Sequence, residues 1–175
     1  MHMPPSENRN PVRHWGSVDV AGHRIAYAAS DRPEVRWFDL EGRLVQVARL
    51  DLATVEADEA LWDRYEANLR ERLEGRDPAM VEERVADARR DFEGPQPYFN
   101  RAYGDAAGSV WLSNYDITGI EARAFVVVEG DGLSAHRVEL PSGIRVLDIA
   151  DDRILAVETD ELDVQAVVVY AIRKG

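Results

Sequence analysis

The sequence contains no cysteine. That absence excludes disulfides, thiolate metal sites and cysteine nucleophiles, and leaves the compartment open, because exported chains can also lack Cys. No apolar run approaches the roughly 18 residues of a membrane-spanning helix, so no membrane insertion is expected. The N-terminus lacks the apolar core of a signal peptide, and none is expected in this chain; a longer parent would be free to carry an export segment. Positive charge is scarce, with 21 Lys and Arg against 33 Asp and Glu and a net charge of −12. Such a field repels phosphate backbones and anionic lipid, which weighs against nucleic acid and membrane surfaces as partners. The densest basic stretch, Arg84 to Arg90, runs beside Glu82, Glu83 and Asp87 and reads as a solvated helix face. His2, His14, His23 and His136 show no metal-ligand spacing, so neither a metal nor a cofactor is expected.

What is present is enough for a core. The chain has 175 residues, 45% of them hydrophobic, including four Trp, six Tyr and four Phe. Residues 1–14 carry three prolines and little to bury, and are expected to form a mobile tail.

The dominant signal is a repeat. Strand-like pairs recur in the same order: Arg24–Tyr27 with Val35–Phe38, Ser109–Leu112 with Phe125–Val128, and Arg153–Ala156 with Val167–Tyr170. Val110 and Ile154 are 44 residues apart, whereas Ile25 and Val110 are 85 apart, an excess of about 41. A period near 40–45 with up to four short strands per unit is that of propeller blades. Turn chemistry agrees, since Gly130-Asp131-Gly132 and Leu40-Glu41-Gly42-Arg43 both interrupt alternating strands. The third unit reaches Ile144–Ile149, Arg153–Glu158 and Gln165–Ile172 and then stops, without a fourth strand.

The excess residues read as helices. Leu61, Tyr65, Leu69 and Leu73 recur every fourth position before Gly75, and Asp77-Pro78 opens a second stretch with Val81, Val85, Ala88 and Phe92 on one face. The expected organisation is therefore a mainly β chain. Blade 1 spans 15–53, an inserted α-helical hairpin 54–94, blade 2 residues 95–143, and blade 3, lacking its outer strand, 144–175. The helical hairpin is expected to rest over one end of the blades or against another chain. A β-sandwich carrying a helical hairpin is the competing fold.

Two stretches carry a resemblance. Tyr103-Gly104-Asp105-Ala106-Ala107-Gly108-Ser109-Val110-Trp111-Leu112 and Val35-Arg36-Trp37-Phe38-Asp39-Leu40-Glu41-Gly42-Arg43-Leu44 resemble the repeat core of NHL-type six-bladed β-propellers. The likeness covers about residues 16–52 and 97–173. It implies a partial β-propeller of about three antiparallel four-stranded blades, equal to the C-terminal half of such a ring. Three blades cannot close, so self-association or pairing with another propeller chain is expected.

Candidate chemistry is sparse. Gly132-Leu133-Ser134-Ala135-His136 lacks the closing Gly of a serine-nucleophile elbow and reads as a hairpin turn. Asp148, Asp151, Asp152 and Asp160, Glu161, Asp163 fall where turns are expected and lack the spacing of a calcium loop. Where the insertion re-enters a blade's innermost strand, Tyr98, Asn100, Arg101 and Tyr103 combine aromatic, amide and guanidinium groups. With Asn114 and Tyr115 they are the candidate site for a ligand the sequence does not identify; Trp37, Trp111 and Phe125 read as core between blades. The expected function is a non-catalytic binding or assembly module. The alternative implied by the resemblance is part of a six-bladed lactonase-like hydrolase.

Overall fold

A computed structural model describes residues 12, 14–116, 124–141, 144–150, 152–160, 162 and 164–172. Most of the expected tail, with Asp151, Glu161 and Asp163, lies outside them. Among the described residues no helix is long and apolar enough to cross a membrane.

The repeat appears as three antiparallel sheets in chain order. Sheet 1 holds β1 (Gly16–Ala21), β2 (Arg24–Ala29), β3 (Glu34–Phe38) and β4 (Leu44–Arg49). Sheet 2 holds β5 (Phe99–Gly104), β6 (Val110–Asn114), β7 (Ala124–Val128) and β8 (Ala135–Glu139). Among the described residues, sheet 3 holds β9 (Ile144–Ile149), β10 (Arg153–Thr159) and β11 (Gln165–Ala171), with β11 at its edge. The strands form because β-branched and aromatic residues alternate between two packing faces, and because local side-chain bonds close their turns. Asp39 Oδ1 accepts from the backbone N–H of Glu41 and of Arg43, and Gly42 supplies the positive φ of 81° that ends the turn. Those backbone bonds hold the Asp39 carboxyl below its ordinary range. Asp105 makes the corresponding bond to Ser109 N at 2.8 Å, then ties its turn to the core by accepting from Trp111 Nε1 at 3.2 Å.

Sheet 2 is covered on both faces. Towards sheet 1, Phe99, Ala102, Val110, Leu112 and Val128 meet Ala26, Ala28, Val35 and Trp37. Towards sheet 3, Tyr103, Trp111, Phe125 and Val127 meet Ile144, Val146, Ile149, Ile154 and Ala156. Two inter-sheet cores with a shared middle layer exclude the two-layer sandwich, which has one such core. Trp37, Trp111 and Phe125 are all buried between sheets, as their place in the repeat predicts.

The insertion forms α1 (Glu59–Arg72) and α2 (Pro78–Arg90), each opened by an aspartate N-cap, Asp58 and Asp77. Its apolar stripe was expected to rest over one end of the blades or against another chain, and much of it is buried within the hairpin itself. Leu61, Trp62, Tyr65, Val85 and Phe92 close mainly on one another, with Tyr115 the sheet-side residue packed against them. Trp62 stacks edge-on to Phe92 at 5.1 Å, which buries in the hairpin itself the aromatic area that would otherwise need the sheets. A short antiparallel neck, Ala57 N to Gly94 O and Gln96 N to Val55 O, joins the hairpin to sheets 1 and 2.

Candidate functional site

Strand alternation separates the six residues singled out from sequence. Tyr98, Asn114 and Tyr115 line a cleft of about 300 Å³ below the neck, with Leu52, Gln96 and Arg137. The Tyr98 hydroxyl is 2.7 Å from Thr54 Oγ1, and Asn114 Oδ1 accepts from Ala124 N. Burial raises the Tyr115 hydroxyl pKa, and the Trp15 ring lies 5.9 Å from the Tyr115 ring. The other three residues sit on β5. Asn100 is exposed and offers its carbonyl to Trp15 Nε1 at 2.7 Å. Arg101 lies over the Tyr103 ring at 4.7 Å. Tyr103 itself turns into the core between sheets 2 and 3, where its hydroxyl donates to Val146 O and burial raises its pKa. The structure thus gathers three of the six in one cleft and places the others along the inner strand.

A larger cavity, of about 720 Å³, lies between sheets 2 and 3. Its walls are apolar, from Trp111, Val127, Val138 and Leu140 on one side and Ile154, Tyr170 and Ile172 on the other. Its polar end holds Ser109, Glu129 and His136. Ser109 Oγ donates to Glu129 Oε2 at 3.2 Å, and His136 Nδ1 stands 3.4 Å from Glu129 Oε1. The carboxylate therefore sits between the hydroxyl and the imidazole. A hydroxyl nucleophile needs its base within hydrogen-bond reach, and here Ser109 is bonded to an acceptor that the imidazole also faces. Asp105 lines the same end, with its oxygens engaged by Ser109 N and Trp111 Nε1.

Sequence reasoning passed over this cavity. His136 and Val138 stand opposite Val127 and Phe125 in the β7–β8 ladder, so all four share the face turned to sheet 3. The signal was available in the repeat: among the described residues sheet 2 has a fourth strand opposite which sheet 3 has none.

The two end faces of the stack follow the same register. In the middle sheet, Val110 pairs with Val128 and Leu112 with Val126, on the face that receives sheet 1. The equivalent pairs in sheet 1 are Ile25 with Phe38 and Tyr27 with Arg36, joined by Val18 and Val20 from β1. Val18 and Val20 are 65% and 60% exposed. On its other face, sheet 2 pairs Trp111 with Val127 and Ser113 with Phe125. The equivalents in sheet 3 are Leu155 with Val169 and Val157 with Val167, and Val167 and Val169 are 69% and 62% exposed.

Asp160 Oδ1 accepts from the backbone N–H groups of Leu162 and Val164, the turn role expected of it. Among the described residues no three His, Asp or Glu side chains converge in a metal-holding group. No protein-family model matches the chain, and no curated protein matches it.

Proposed function

We propose that the chain is a non-catalytic, β-propeller-like binding and assembly module in which two copies join end to end into a ring of six sheets. One observation carries this reading. The outer face of sheet 3 (Leu155, Val167, Val169) and the outer face of sheet 1 (Val18, Val20, Ile25 and Phe38, beside Tyr27 and Arg36) are the register equivalents of the two faces that meet inside the stack. Stacking sheet 3 of one copy on sheet 1 of another repeats an interface the chain already makes twice. Wet apolar end faces are costly in repeat architectures, and a closed ring of two copies removes both. An open head-to-tail chain would leave two faces exposed at its ends and invite filaments. The likeness of the turn sequences to NHL-type repeats supports the same count of six.

Mass in solution tests the reading. Light scattering at micromolar concentration is expected to give twice the 19.7 kDa chain mass. A species at the single-chain mass across that range overturns it.

A further inference from the structure

Among the described residues, sheets 1 and 2 each have a fourth, outer strand, and sheet 3 has none. The cavity between sheets 2 and 3 occupies the place beside β11 where that strand belongs, because His136 and Val138 of β8 face it from one side and Tyr170 and Ile172 flank it on the other. The corresponding residues of sheet 1, Gln46 and Ala48 of β4, lie opposite Trp37 and Val35 and are covered by sheet 2; Ala48 is buried.

The free edge of β11 suits a strand. Ile172 N donates to Asp152 O, so the even-numbered residues of β11 turn their backbone groups towards β10. Gln165, Val167, Val169 and Ala171 then present N–H and C=O outwards. Gln165–Ala171 contains no charge and no proline, the devices by which edge strands usually resist pairing. β8, an outer edge strand, carries His136, Arg137 and Glu139.

We infer that this slot binds an extended peptide segment of another protein by adding it as the fourth strand of sheet 3, antiparallel to β11. Residues of the incoming strand opposite Tyr170 and Val168 point into the cavity, by the alternation that places Tyr170 and Val168 on the side facing sheet 2. The one opposite Tyr170 reaches the polar end. There Glu129 accepts from Ser109 and faces His136, its carboxylate keeps further acceptor positions, and no Lys or Arg is among the lining residues, so the fitting side chain is basic. The one opposite Val168 meets Val138 and Leu140 and is apolar. The peptide read from N to C terminus is therefore basic, any residue, apolar, any residue, apolar. This site is separate from ring closure, since it uses one strand edge of a single chain.

The test is binding of a labelled heptapeptide, Thr-Lys-Thr-Val-Thr-Val-Thr, to the whole protein, followed by fluorescence anisotropy. Three controls accompany it: Glu in place of Lys, N-methylation at alternate peptide bonds, and the protein variant Glu129→Gln. The expected result is binding that N-methylation abolishes and that either charge change weakens about tenfold. Repeating it on Val18→Glu, which alters a sheet 1 end face, is expected to leave peptide affinity unchanged whatever happens to the mass in solution. Absence of binding at millimolar peptide overturns the inference, and so does binding indifferent to N-methylation. Full displacement of the peptide by octylamine from an N-methylation-insensitive complex would assign the cavity to small amines instead, and also overturns it.

Discussion

A Cβ placed on Gly104 would overlap the main-chain carbonyl of Val20. The inner strands β5 and β1 approach at this point as closely as backbone allows, and Gly104 N donates to Asp19 Oδ2 at 3.1 Å. Gly104→Ala is expected to lower unfolding free energy by roughly 3 kcal/mol, because backbone cannot step aside as a side chain can. Gly42→Ala makes the contrast. Nothing stands within 4 Å of its Cβ position, so only the strain of its positive φ is added, about 1 kcal/mol. Urea titration of both variants checks the order, and equal losses would sink the close-approach account.

The helical hairpin carries its own core, and its stability is separable from that of the sheets. Trp62→Ala removes the ring that packs on Tyr65 and Phe92 and lies under Arg89. A buried Trp lost to Ala costs about 3–5 kcal/mol. Hydrogen exchange is expected to show amides of 59–90 losing protection while β6 and β7 keep theirs. Simultaneous loss in both regions would mean that the hairpin braces the sheets.

Much of the architecture was legible because its signals are local. Asp-x-x-Gly turns close by hydrogen bonds within a few residues, and strand alternation needs only neighbouring positions, so the three units and the break at Asp77-Pro78 could be read directly. The candidate site was less legible, since it depends on register between strands. Tyr103 reads as a polar aromatic beside Arg101, but alternation along β5 sends Ala102 to sheet 1 and Tyr103 into the opposite core. His136 reads as a structural or solvent-exposed histidine and is exposed, and only the pairing with Val127 reveals that it also lines the cavity between sheets 2 and 3. The hairpin was found in sequence, but the mutual burial of Trp62, Tyr65 and Phe92 depends on a tertiary angle that helical periodicity does not contain.

Burial raises the hydroxyl pKa of Tyr65, Tyr103 and Tyr115 above the ordinary value of 10. The unfolded chain titrates near about pH 10, so above it the unfolded state loses protons that the folded state retains. Their contribution to stability is complete below that pH and is lost as pH rises through the folded values. The denaturation midpoint is expected to fall beyond pH 10, and tyrosine absorbance of the folded protein should show a delayed fraction. Ionisation of all six tyrosines together near pH 10 in the folded state would contradict this.

Ring closure by two copies makes a prediction about mixtures. Let one variant carry Val18→Glu and Val20→Glu, and a second carry Val167→Glu and Val169→Glu. Each alone damages one side of both interfaces in a two-copy ring, and each is expected to run at the single-chain mass, because a carboxylate forced into an apolar interface is left unpaired. When the two are mixed, one interface receives both damaged faces and the other receives two intact ones. A heterodimer held by the intact interface should therefore appear at equimolar mixing, weaker than the parent assembly. Pairing of sheet 3 with sheet 3 predicts otherwise: the Val18/Val20 variant would remain dimeric by itself. Sedimentation of the two variants, separately and mixed, distinguishes these arrangements, and a mixture with no heterodimer would rule out the end-to-end geometry.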